Sequence, residues 1–159
     1  MIELTVAFVF GLLLGSFLNV VILRIPKDES VVFGASHCYT CNKALKPLHN
    51  IPLVSWIFLG GKCAYCKTSI SAQYPLIELL SGLIFLTLAS KYGINLPIFM
   101  IALSFLTLLA LSMIDFKYKM VPDSLNLLAI VFAILGAWNL PGVFLNLQNA
   151  LIFAGGFTL

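Results

Sequence analysis

The sequence predicts an all-α polytopic membrane protein with a small cytoplasmic zinc-ribbon-like domain between the first two transmembrane helices. Three observations carry that expectation. The 159 residues are 61% hydrophobic and only 9% charged, with mean hydropathy +1.07, whereas soluble proteins carry about 25% charged residues. One polar insertion, residues 24–72, interrupts the apolar runs and holds all four cysteines. Six of the nine basic residues (Arg24, Lys27, Lys43, Lys46, Lys62, Lys67) fall in that same insertion. A basic cluster of this size can signal nucleic acid. Here it is diluted by Cys, Pro and aromatic residues between membrane segments, so it reads as a topology signal, with the lipid bilayer as partner and no nucleic acid.

Residues 1–23 form the first transmembrane helix. Leu4 to Leu23 is uncharged, and about 20 residues at 1.5 Å each cross a bilayer core of about 30 Å. A cleaved signal peptide would need a basic start and a small-residue cleavage site; neither is present, so the segment reads as an uncleaved anchor. Gly11, Gly15 and Asn19 recur every four residues on one helical face, with Ser16 beside them. That face should meet another helix, since small residues permit close approach and Asn19 needs a hydrogen-bond partner away from lipid.

Arg24-Ile-Pro26 ends the span, because proline disfavours helix at the residue before it. The domain over 24–72 is framed by Cys38-Tyr-Thr-Cys41, 21 further residues, and Cys63-Ala-Tyr-Cys66. Two Cys-x-x-Cys knuckles can place four thiolates tetrahedrally around zinc, and the metal supplies folding energy to a segment with few core side chains. Disulfides are the alternative, disfavoured if the loop faces the reducing cytoplasm. His37 and His49 could also ligate, but four cysteines already fill a structural site.

Residues 73–159 form a transmembrane helical domain of about four helices, the last incomplete. Tyr74 to Ser90 makes the second span, with Glu78 about one turn inside, where it can pair with a base or cap the helix start. Pro97 opens a third span to Ile114, Ser124 to Trp138 makes a fourth, and Ala150 begins a fifth apolar stretch. Counting charges orients the chain. Placing the cysteine domain inside also places Lys117 and Lys119 inside, leaving Lys91 alone outside. The N-terminus is therefore expected outside and the cysteine domain in the cytoplasm.

Between the third and fourth spans lies Asp115-Phe-Lys-Tyr-Lys-Met-Val-Pro-Asp123, and from Ala72 onward the one other acid is Glu78. Acids this scarce at a membrane edge are functional candidates. Asp123 follows Pro122 and can cap the fourth helix. Asp115 stands at the end of the third helix, where the dipole disfavours a carboxylate, although Lys117 and Lys119 could offset it. Paired carboxylates that share a proton suit aspartyl-protease chemistry, one activating water and the other polarising the scissile carbonyl. Asp115 and Asp123 are candidates for such a pair, though nothing in their spacing requires it.

Several strings together resemble the bacterial type IV prepilin peptidases (leader peptidase/N-methyltransferase): Gly15-Ser-Phe-Leu-Asn-Val-Val-Ile-Leu-Arg-Ile-Pro26, the knuckles at Cys38/Cys41 and Cys63/Cys66, Asn50-Ile-Pro-Leu-Val-Ser55, Gly60-Gly-Lys-Cys63, Tyr74-Pro-Leu-Ile-Glu78, and Asp115 through Val121-Pro-Asp123. The resemblance implies a polytopic inner-membrane aspartic endopeptidase. Such an enzyme cuts the leader segments of prepilins or type II secretion pseudopilins after glycine at the cytoplasmic face. It also implies methylation of the new N-terminus with S-adenosylmethionine in many members. Asp115 matches the family's first catalytic aspartate, and Asp123 the trailing acid of the turn, in a supporting role. The second catalytic aspartate, in a Gly-x-Gly-Asp string, is absent, so the chain looks truncated and is expected to be inactive alone. Asn19, Arg24 and the cysteine loop are candidate neighbours of substrate or cofactor. A non-catalytic zinc-knuckle membrane adaptor or pilus and secretion assembly scaffold is the alternative.

Overall fold

A computed structural model describes residues 1–33, 36–38 and 40–138. Its helices are α1 (Ile2–Arg24), α2 (Val54–Phe58), α3 (Gln73–Tyr92), α4 (Leu96–Tyr118) and α5 (Asp123–Ala137). Among the described residues, α1, α3 and α4 are long and apolar enough to cross a membrane. All three outrun their apolar runs, because interfacial residues such as Lys117 and Tyr118 continue the helical hydrogen bonding after hydropathy falls. Among the described residues α5 covers 15 residues, about 22 Å. The stretch expected from Ala150 lies outside the described residues.

The small residues of α1 meet α3. A Cβ on Gly11 would stand 2.7 Å from the Ser81 carbonyl oxygen and 2.8 Å from Gly82 Cα. One on Gly15 would stand 2.8 Å from Glu78 Cα. One turn on, Asn19 finds the partner its polarity demands: Nδ2 donates to the Tyr74 carbonyl at 3.1 Å, and to Gly15 of its own helix at 3.3 Å. These contacts set α1 and α3 antiparallel. Lipid tails are as apolar as leucine, so close packing and hydrogen bonding, rather than water expulsion, hold such helices together.

Asn95 starts α4, its Oδ1 accepting from the Ile98 amide at 2.9 Å, with Pro97 in the first turn. The core lies where α1, α3 and α4 converge, around the fully buried Ile22, Ile77 and Ile114. Rings of Phe10, Phe85 and Phe99 close its far end with centroids 5.7–5.9 Å apart. α5 returns antiparallel along α4, held by the Ser104 hydroxyl donating to Ala129 O at 3.0 Å. The C-terminal ends of α1 and α4 and the start of α3 thus share one end of the bundle, where the cysteine segment sits.

Replacing Gly11 with Val should force a β-branched side chain against the α3 backbone, which has nowhere to yield. A loss of about 1–3 kcal/mol is expected, read as a lower thermal unfolding temperature of the purified protein in detergent.

Candidate functional site

The two knuckles repeat one backbone design. The Cys38 amide donates to Lys43 O and the Asn42 amide to Cys38 O; correspondingly, the Cys63 amide donates to Thr68 O and the Lys67 amide to Cys63 O, all at 2.8–3.1 Å. Single β-bridges, His37 with Ala44 and Lys62 with Ser69, close the two turns. Asn42 and Lys67, just after the second cysteine of each pair, take the left-handed conformation that reverses the chain. Each turn thereby presents two thiols to the same point. All four Sγ atoms lie within 4.8 Å of one another, and none is in a disulfide. Cys38 and Cys66 Sγ are 3.8 Å apart, close to the edge of a sulfur tetrahedron, about 3.8 Å, built on 2.3 Å metal–sulfur bonds.

The thiols do not ionise alike. Cys66 is drawn down to about 6 by the hydroxyl and then the amide of Thr68, while amides of Cys41 and Thr40 lower Cys38. The Lys43 amide pulls Cys41 down too, but partial burial and the neighbouring Cys66 and Cys38 sulfurs outweigh it and push Cys41 up to about 11. Without a cation, the Cys41 sulfur keeps its proton; a divalent metal removes that conflict by compensating four thiolates at once. The cluster is thus able to coordinate a metal ion. Between Lys27 and Ala72 the buried apolar side chains among the described residues are Pro52 and Cys63, so the segment has little else to fold around.

Glu78 ties this segment to the membrane helices. It does not cap α3, as its place near the helix start suggested. It sits in the second turn, and its Oε2 accepts from the Leu53 amide at 2.7 Å. Leu53 stands at φ 60°, a strained conformation for a branched side chain, and the carboxylate holds that peptide in place. The Ser16 hydroxyl bonds the same carboxylate. At the end of α1, buried Arg24 donates from Nη1 to Ser30 O at 2.9 Å and to Phe33 O at 3.1 Å, pinning the chain as it leaves the membrane. Among these groups lies a cavity of about 460 Å³, walled by α1, the cysteine segment, the start of α3, and Lys117 and Tyr118 of α4.

The two aspartates bracket the α4–α5 turn at the same end of the bundle. Asp115 does not end its helix: α4 runs one turn further, to Tyr118, and the Lys119 amide, in left-handed conformation, donates to Asp115 O at 2.9 Å. Nor do the nearby lysines pair with its carboxylate among the described residues. Lys117 Nζ lies over the Tyr118 ring and Lys119 Nζ over the Phe116 ring, 5.4 and 5.7 Å from the centroids. Asp123 is the first residue of α5 rather than its cap, because Pro122 occupies the capping position. Its charge still suits the positive helix start. Both aspartates are exposed.

The family model "Bacterial Peptidase A24 N-terminal domain" matches residues 9–92, which run through α1, both knuckles and α3. The chain belongs to the bacterial prepilin peptidase family. It is 38% identical over 180 residues to a prepilin leader peptidase/N-methyltransferase of Neisseria gonorrhoeae, covering 93% of this chain and 59% of that protein. It is 40% identical over 119 residues to the protein of that name in Myxococcus xanthus, covering 75% and 36%. The counterpart in Pseudomonas aeruginosa is 35% identical over 167 residues, covering 91% and 57%. The chain therefore spans about three-fifths or less of the length of these relatives. No solved structure matches it significantly.

Within this prepilin peptidase family chain, Glu78 and Leu53 form the contact that sequence reasoning missed. Nothing local to Glu78 indicates a partner 25 residues upstream; the only signal was a lone acid early in a membrane helix. Glu78→Ala should leave the Leu53 amide without its acceptor, at about 1–3 kcal/mol. Faster limited proteolysis around Leu53 and a lower unfolding temperature are expected, with Glu78→Gln, which keeps an acceptor oxygen, recovering most of the loss.

Proposed function

We propose that this chain supplies the first catalytic carboxylate and the cytoplasmic domain of an aspartic endopeptidase in the bacterial inner membrane. The enzyme removes the leader of type IV prepilins or pseudopilins after glycine and, in a second step, methylates the new N-terminus. The observation that carries the reading is family membership joined to the position of Asp115: an exposed acid without an ion pair among the described residues, at the end of the bundle that also holds the knuckles. Asp115 acts as acid or base on the attacking water, and Asp123 supports it from the start of α5. The 159 residues contain no Gly-x-Gly-Asp string, and the pair chemistry calls for a second carboxylate beside Asp115. The distribution of basic residues supports a cytoplasmic cysteine domain and aspartates, with the N-terminus outside.

The same reading makes the metal structural zinc, held by Cys38, Cys41, Cys63 and Cys66. Four thiolates complete a closed tetrahedron with no open position for substrate.

In the protein expressed from its whole reading frame, Asp115→Ala should cut the rate of prepilin leader cleavage by about 10²–10⁴, measured as mature pilin in membranes. Processing at the unaltered rate would reject the catalytic role and favour an assembly scaffold. Purified protein should carry about one zinc per chain by elemental analysis. Cys38→Ser/Cys41→Ser should lose it, along with the protease resistance of residues 36–72.

A further inference from the structure

One flank of the bundle carries an open apolar groove. It holds about 790 Å³ between α2, the first turns of α3 and the end of α4, walled by Leu53, Ile57, Leu76, Leu79, Met113 and Phe116. Ile57 is 67% exposed and Phe116 77%, while Phe58, the next residue of α2, is 86% exposed. Leu79 stands six residues inside α3, about 9 Å along its axis, so the groove runs beside a membrane-spanning segment rather than beyond its end. Contiguous apolar surface of this kind marks an interaction site.

The surroundings of the groove decide what covers it. Leu76, Leu79 and Leu83 recur at i, i+3 and i+7 and all are exposed, so the groove continues into an apolar stripe along α3. On a span, such a stripe meets lipid. The flank is also turned away from the aspartates. Asp115 is two residues from both Met113 and Lys117, about 160° round α4, and eleven residues, about three turns, from Ser104, which bonds α5. Whatever completes a site at Asp115 therefore approaches along the α5 flank. Charge points to lipid as well: residues 36–72 contain four lysines and no Asp or Glu, and Lys117 stands at the groove, which suits anionic head groups around an inserted apolar element. The backbone of α2 is equally fit to leave water. The amides of Leu53, Ser55, Ile57, Leu59, Gly60 and Gly61 all donate within the protein, as lipid requires. The Trp56 indole donates to Ile70 O at 3.3 Å, and the Glu78 carboxylate holds the Leu53 amide, so α2 is fastened at both ends.

We propose that α2 is a foot seated in the membrane: Ile57 and Phe58 enter the acyl region at the edge of the bilayer, and lipid acyl chains fill the groove between α2, α3 and α4. The cysteine segment then lies against the bilayer surface instead of standing off in water, level with Asp115, whose neighbour Phe116 lines the same groove. The choice of lipid over the remainder of the enzyme rests on the aspartic-peptidase reading of Asp115; the lipid contact itself rests on the three spans.

The test uses protein from the whole reading frame in vesicles of phosphatidylethanolamine and phosphatidylglycerol, photolysed with a diazirine dissolved in the acyl chains and mapped by peptide mass spectrometry. Residues 54–59 should be labelled as heavily as residues 76–83 of α3, and about tenfold or more above the knuckle residues 63–68, because the probe is confined to the apolar phase. Labelling of α2 no heavier than that of the knuckles overturns the proposal, and this measurement needs no substitution. A variant identifies the occupant: Phe58→p-benzoylphenylalanine should crosslink to phospholipid on irradiation, whereas adducts to another part of the same chain or to a second copy overturn the assignment. Neither readout depends on leader cleavage. Protein that is labelled and does not cleave keeps the foot and counts against the peptidase; protein that cleaves with α2 unlabelled does the reverse.

Discussion

The close approach of α1 to α3 is the constraint on which the rest of this molecule depends. Two helices in lipid gain little from burying leucines against each other. Here they gain from Gly11 and Gly15, which let the α3 backbone come within van der Waals distance, and from Asn19, which spends its amide donors on the crossing. Because that crossing runs up to Asn19 and Tyr74, it fixes the last turn of α1 beside the first turn of α3. The polar segment between them then leaves and re-enters the bundle at neighbouring points. Bringing the ends of a loop together is an entropic cost that grows with its length, and the α1–α3 crossing offsets it.

That arrangement explains how a segment with almost no apolar core can hold a shape. Arg24 fastens its beginning through two carbonyls, Glu78 fastens its middle through the Leu53 amide, and the four cysteines gather its two knuckles. Each fastening is polar and each is partly or fully withdrawn from water, where a missing partner is felt most. The thiol cluster alone is not self-sufficient, since Cys41 is pushed up by the very neighbours that a metal would reconcile. Membrane packing brings the ends of the segment together, and a metal held by the four thiols would organise what lies between.

The parts of this fold that follow from local pattern were legible in the sequence. Uninterrupted apolar runs marked α1, α3 and α4, the every-fourth small residues marked the α1 face that meets a neighbour, and paired Cys-x-x-Cys strings marked the thiol cluster. What escaped depended on partners distant in sequence. Glu78 was read against its own helix dipole, yet its carboxylate serves an amide 25 residues away. Asp123 was read as a cap because it precedes Ser-Leu-Asn, but the cap position falls one residue earlier, on Pro122. Asp115 was placed at a helix end because apolar character stops there, although hydropathy marks the limit of the bilayer and not of the hydrogen-bonded spiral. His49 was set aside as a surplus ligand, and only the folded chain brings it to the same cavity as Asn19 and Gln73.

The surroundings of Asp115 bear on the role proposed for it. A carboxylate clamped by lysine is held ionised and has lost much of its ability to exchange a proton at neutral pH. Two lysines lie within four residues of Asp115, and helical spacing would let either approach. Both instead rest over aromatic rings, Lys117 on Tyr118 and Lys119 on Phe116, and the left-handed turn at Lys119 carries the chain away from the helix. The acid is thereby left without a lysine partner among the described residues. A second carboxylate brought against it would favour one proton shared between the two, because like charges that close cannot both ionise readily. No neighbouring cation among the described residues would have to be displaced first, which is of no consequence in a merely solvated turn and an advantage in half of a catalytic pair.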